Sequence, residues 1–107
     1  MANTLKHFAT GALAISSTLN PDRAFQLDEV RLHLSAAGGA GSFSIQVDSI
    51  DGSTYDVVLN SQDMTSLADY VYMPTRPHEF TEGDKLIFAY PNAGSKTYGL
   101  LVNFKGI

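Results

Sequence analysis

The chain has 107 residues, a formal net charge of -4 and no cysteine. That length fits one domain with a real core. The acidic balance speaks against a general nucleic-acid binder, which needs a basic face, and the missing thiols exclude a disulfide scaffold, a thiolate zinc site and a Cys nucleophile. With 44% hydrophobic and 17% charged residues the composition is globular rather than disordered. No apolar run approaches the ~20 residues of a membrane helix.

In chain order, Ala2 to Phe8 reads as an N-terminal arm docking on a neighbour or as a frayed end, with 1–10 as its outer limit. The small apolar residues from Ala9 to Ser17 resemble a weak signal peptide. Thr10 and Gly11 interrupt that run, so a first strand with Leu13 and Ile15 inward is preferred and no secretion signal is expected. Asn20 and Pro21 break the chain. In the next run, Phe25 and Leu27 share one phase, and Val30, Leu32 and Leu34 the opposite one. The slip at Asp28-Glu29 predicts a β-bulge. Ala36 to Gly41 is glycine-rich, but it leads into the alternating strand Ser42 to Asp48 rather than a helix. A hairpin loop is therefore expected there, not a phosphate cradle.

Asp51-Gly52 is a hairpin signal between that strand and Tyr55 to Asn60. Asp48, Asp51 and Asp56 lack the spacing of a calcium loop. Ser61 to Ala68 is the one candidate helix, capped by Ser61, with a single turn crossing between sheets as the alternative. Asp69 to Met73 reads as a strand, Pro74 to Pro77 as extended chain, and Gly83 as a tight turn. The C-terminus reads as a hairpin. Leu86, Phe88 and Tyr90 alternate on one run, and Tyr98, Leu100, Val102 and Phe104 on the other, around the loop Pro91 to Lys96. Turns every ~8–12 residues mark an all-β fold: one antiparallel β-sandwich over 1–107, jelly-roll-like, with seven to eight strands and at most one short helix.

The second faces of these strands are less polar than solvent requires. Val58, Ile87, Ala89 and Leu101 lie on them, and Tyr70 and Tyr72 are large for a solvated strand. These six are the candidate interface residues. The chain offers little reactive chemistry. His7, His33 and His78 stand in separate segments with no metal-ligand spacing, and no serine sits in a nucleophile elbow. No catalytic, cofactor or metal residue is assigned, and no enzyme is expected. The tyrosines suggest either core and interface packing or a sugar-stacking groove lined by Tyr70, Tyr72 and Tyr90.

Three stretches carry a resemblance: Phe25 to Ser35, Tyr55 to Met64, and Pro91 to Leu100. Together they resemble small β-sandwich virion proteins of tailed bacteriophages, over roughly Arg23 to Phe104. The resemblance implies a capsid decoration (cement) protein without catalytic residues or cofactor, made in the host cytoplasm and carried in the virion. Its partner would be the major capsid protein or another virion protein. A homo-oligomer is expected, and a trimer would suit local threefold positions. Arg23, Arg31, Arg76 and Lys85 become candidate rim contacts to an acidic shell; nucleic-acid and membrane partners are not expected. The alternatives are a neck or tail component, a glycan or host-surface binding module, and an intracellular ligand-binding jelly roll or small enzyme with a deep polar pocket.

Overall fold

The computed structural model describes residues 4–76 and 78–107. Ala2 and Asn3 of the expected arm, and Pro77 of the run expected to be extended, lie outside the described residues. Nine strands occur among the described residues: β1 (Thr4–Gly11), β2 (Ile15–Leu19), β3 (Phe25–Leu34), β4 (Ser42–Asp48), β5 (Val57–Asp63), β6 (Asp69–Tyr72), β7 (His78–Phe80), β8 (Lys85–Tyr90) and β9 (Tyr98–Gly106). A 3-10 turn spans Ser53–Tyr55. One sheet runs β1-β9-β3-β6 with β7 also on β3; the other runs β2-β8-β4-β5. All strand pairs are antiparallel. β1 pairs with β9, β2 with β8, β3 with both β7 and β6, and β4 with β5. That nesting is the jelly roll.

The core is the space between the sheets. Alternate residues of β3, β4, β8 and β9 fill it, among them Phe25, Leu32, Phe43, Ile45, Phe88, Leu100 and Val102. Aromatic rings pack side by side within the first sheet: Phe25 stacks on Phe80 with centroids 5.0 Å apart and meets Phe104 edge-on at 6.1 Å. The phase slip expected at Asp28-Glu29 is a real irregularity, with the β3–β9 register shifting between Leu27 and Glu29. On the other edge of β3, β6 pairs with Val30 to His33 and β7 with Phe25 to Leu27. The pairing on this edge is thus split at the irregularity between β7 and β6, and nine strands occur among the described residues where seven or eight were expected.

Four further expectations are corrected. The N-terminal segment is a strand from Thr4, with Thr4 opposite Lys105, rather than a free arm. Leu13 lies in the loop after β1 and is exposed, while Ile15 is buried at the start of β2. The apolar C-terminal runs do not form a hairpin, because β8 and β9 belong to opposite sheets and their loop crosses the sandwich. The glycine-rich loop likewise joins β3 to β4 across the sandwich rather than closing a hairpin.

The candidate helix is also absent. β5 continues to Asp63, and a turn then carries the chain to the other sheet. The reason lies in its partners. Met64 N donates to Gly41 O at 3.0 Å, Gly38 N to Leu67 O at 2.9 Å, and Leu34 N to Ala68 O at 2.7 Å. Backbone groups that would close helical turns are taken by the glycine-rich loop, and Met64 is fully buried as an anchor. Gly38 makes this close approach possible: a Cβ there would stand 2.5 Å from Tyr90 Oη and 2.7 Å from Met64 O.

Two buried polar side chains fix the remaining corners. Asp84 Oδ1 accepts from Ile50 N at 2.9 Å, and Oδ2 from Thr81 N at 3.1 Å and Thr81 Oγ1 at 3.2 Å. Asn92 Nδ2 donates to Leu13 O at 3.0 Å and Lys96 O at 2.9 Å, while Oδ1 accepts from Lys96 N at 3.0 Å. Asp84→Ala leaves backbone donors without acceptors, so a loss of roughly 1–3 kcal/mol in unfolding free energy is expected in urea titration. Gly38→Ala should also destabilise, because the ring of Tyr90 or the 64–68 turn must move; an unchanged midpoint would contradict this account.

Candidate interaction surfaces

Strand register places the outward side chains of the first sheet in rows. Phe8 stands opposite Leu101, Leu101 opposite Arg31, and Arg31 opposite Val71. In the next row Thr10 faces Gly99, Gly99 faces His33, and His33 faces Asp69. Gly99 has no side chain, and a Cβ built there meets nothing within 4 Å. The result is an apolar groove of about 600 Å³ with Gly99 in its floor and Phe8, Leu101 and Val71 around it. Phe8 is 67% exposed and Val71 51%.

The charged groups of the groove have bonding partners. Arg31 Nε donates to Glu29 Oε1 at 2.7 Å, and Asn103 Nδ2 donates to the same oxygen at 2.9 Å. His33 Nδ1 bonds Asp69 Oδ1. Exposed pairs of this kind contribute about 0–1 kcal/mol, so they set side-chain positions more than stability.

The outer face of the second sheet differs. One row runs Ser16, Ala89, Ser44, Ser61 and the next Thr18, Ile87, Gln46, Val58. Neither row carries a charge. Lys85 opposite Asp48 bounds the rows on one side, and Asp63 opposite Ser42 on the other. With Ser, Ala and Thr as its main residues, this face offers little relief.

The six candidate interface residues therefore do not form one surface. Val58, Ile87 and Ala89 share the outer face of the second sheet, and Leu101 lies on the opposite face of the molecule in the groove. Tyr70 and Tyr72 are not on an outer face. Both are half-buried and pack against the core from the sheet edge. Tyr70 meets Phe43 edge-on at 6.4 Å and accepts from Asn60 Nδ2. Burial, with Tyr70 alongside, raises the Tyr72 phenol above its usual range. Tyr90 is 1% exposed. The sugar-stacking groove expected from Tyr70, Tyr72 and Tyr90 is thus not formed, since stacking needs open ring faces. The candidate rim cations also scatter: Arg31 lies in the groove and Lys85 beside the second sheet's outer rows.

Phe8 and Val71 were missed from sequence. Phe8 lay in a segment read as an arm, and Val71 between two larger tyrosines. The alternation Lys6, Phe8, Thr10 was the available signal, but its meaning depends on pairing with β9. The three histidines remain apart. His7 Nε2 bonds Ser17 Oγ at 2.7 Å and its ring stacks on Phe88 at 6.2 Å. Among the described residues, no group of three or more His, Cys, Asp or Glu is placed to hold a metal ion.

No protein-family model matches the chain, and no curated protein does. Among solved structures, the Yersinia pseudotuberculosis-derived mitogen is similar over 100% of this chain and 88% of that one, with TM-score 0.50 and 14% identity. That likeness shows the fold alone. The structure of infectious bursal disease virus Gx strain aligns with TM-score 0.32 and 11% identity, over 100% of this chain and 40% of that one. The chain thus spans less than half of that protein, and no argument rests on the likeness.

Burial lowers the His7 pKa, because the imidazolium is poorly solvated between the sheets. The unfolded chain then binds more protons than the folded one below the ordinary His value of about 6.5. Stability from this residue is therefore full above that pH and declines as pH falls through it. Comparing urea midpoints of wild type and His7→Gln between about pH 5 and 8 isolates the effect. The wild type should lose more stability on acidification; equal losses would remove His7 as the cause.

Proposed function

We propose that this chain is a non-enzymatic structural protein of a tailed-bacteriophage virion, a decoration protein that binds the capsid shell. The observation that carries this reading is the uncharged centre of the second sheet's outer face. Two complete cross-strand rows, from Ser16 to Ser61 and from Thr18 to Val58, hold no charge in a chain of net charge -4. Interface centres are depleted in charge, and a flat sheet face suits a broad contact with a regular lattice. Ile87 and Val58 supply the larger apolar groups at this surface, and Lys85 stands at its margin as a rim cation.

The resemblance of Phe25 to Ser35, Tyr55 to Met64 and Pro91 to Leu100 to phage virion proteins supports the same reading. The sandwich needs no cofactor for such a role, which is performed by surface area. The major capsid protein is the proposed partner and the virion the proposed location.

The copy number of the protein in purified particles, measured by quantitative mass spectrometry against the major shell protein, tests this proposal. Hundreds of copies are expected. A dozen or fewer would move the protein to neck or tail, and complete absence would end the virion reading. Ile87→Lys places a cation at the centre of the uncharged rows. It should reduce incorporation at least tenfold while leaving the melting temperature close to that of wild type; unfolding of this variant would mark Ile87 as ordinary core.

A further inference from the structure

The groove on the first sheet is a hole, and the same chain carries a knob. The β1–β2 corner, Ala12-Leu13-Ala14, presents Leu13 with 81% of its surface exposed. An exposed leucine on a mobile loop would mean little. This one is held, because its carbonyl accepts from the buried Asn92 amide at 3.0 Å and Asn92 also closes the loop at Lys96. The corner is thus fixed with its one large aliphatic group directed away from the molecule. It does not fill its own groove, whose walls come from β1, β3, β6 and β9.

We propose that the groove takes the Leu13 corner of a second copy of this chain. Three features favour that occupant. The hole is apolar and open at Gly99, which suits an aliphatic side chain. The charges match: Lys96, beside the knob, makes no ion pair among the described residues, while the Asp69 carboxylate at the groove is 72% exposed. Knob and hole also share one corner of the molecule, since Thr10 lines the groove and Leu13 closely follows it in the same turn of chain. A twofold arrangement can therefore seat both knobs in both holes together, which makes the contact isologous and closed. That proximity favours a dimer over a threefold ring. The inference is independent of the virion reading, because it concerns the free protein.

Sedimentation velocity of the intact chain over a concentration series provides the test. A dimer is expected. Leu13→Asp removes the knob at an exposed position, and Gly99→Leu plugs the hole where a side chain meets open space. Each should weaken association by roughly tenfold or more, from the loss of one buried leucine per contact, with an unchanged far-UV spectrum. An equal mixture of the two variants should recover part of the association, since one intact knob then faces one intact hole. A wild type that stays monomeric at high concentration overturns the proposal and leaves the groove to another protein. Dimers insensitive to both variants overturn it, as does a mixture no better than either variant alone.

Discussion

The structure depends on β9 being held on both sides, by β1 and by β3. Those ladders join the C-terminal strand to the N-terminal one and close the first sheet around the chain ends. They also fix which residues face the core. Once Val102 is opposite Val30 and Leu100 opposite Leu32, Leu101 and Gly99 must face outward. The irregularity at Asp28 keeps this arrangement consistent. Were β3 regularly paired through Asp28, Phe25 and Leu27 would turn to solvent while Val30 and Leu32 stayed inside; the bulge absorbs the extra residue. On the other edge of β3, the pairing passes from β7 to β6 at the same place.

From that register come two faces of different character. The first sheet has a depression because a glycine sits at the middle of its outer surface, with a phenylalanine on the edge strand and a valine across from it. Its ion pairs hold Arg31 and His33 in place and add little to stability. The second sheet has one row of small residues across all four strands, and the centre of its outer surface is uncharged. A hollow and a low-relief face call for different contacts. The hollow suits one protruding side chain, and the shallow face suits a wide, low-specificity area. One small sandwich can therefore meet a copy of itself on one side and a different protein on the other.

The corners are held by polar groups rather than by more apolar area. Asp84 ties the turn before β8 to the turn after β4, and Asn92 ties the β8–β9 loop to the β1–β2 corner. Each satisfies backbone groups that the crossing loops leave without sheet partners. This is where a jelly roll with few tight hairpins needs help, because most of its connections change sheet. Gly38 serves the same end by letting the β3–β4 loop lie against the turn after β5.

The sequence by itself determined the class of fold, the period-two core of β3, β4, β8 and β9, and the bulge in β3. These follow from the alternation of large apolar residues, which a strand must present to one side. It also determined that Ile87, Ala89, Val58 and Leu101 lie on second faces, for the same reason. Only the tertiary structure decided which strands are neighbours. β8 and β9 look like a hairpin because a Pro-Asn-Gly loop separates two apolar runs, yet that loop reverses the chain equally well when it crosses between sheets. Thr4–Gly11 becomes a strand only because β9 offers it an edge. Tyr70 and Tyr72 face inward and Val71 outward because β6 takes its parity from β3, and side-chain size alone cannot set that parity. The groove could not be read from any single stretch, since Phe8, Arg31, Val71 and Leu101 come from four strands and meet only through register.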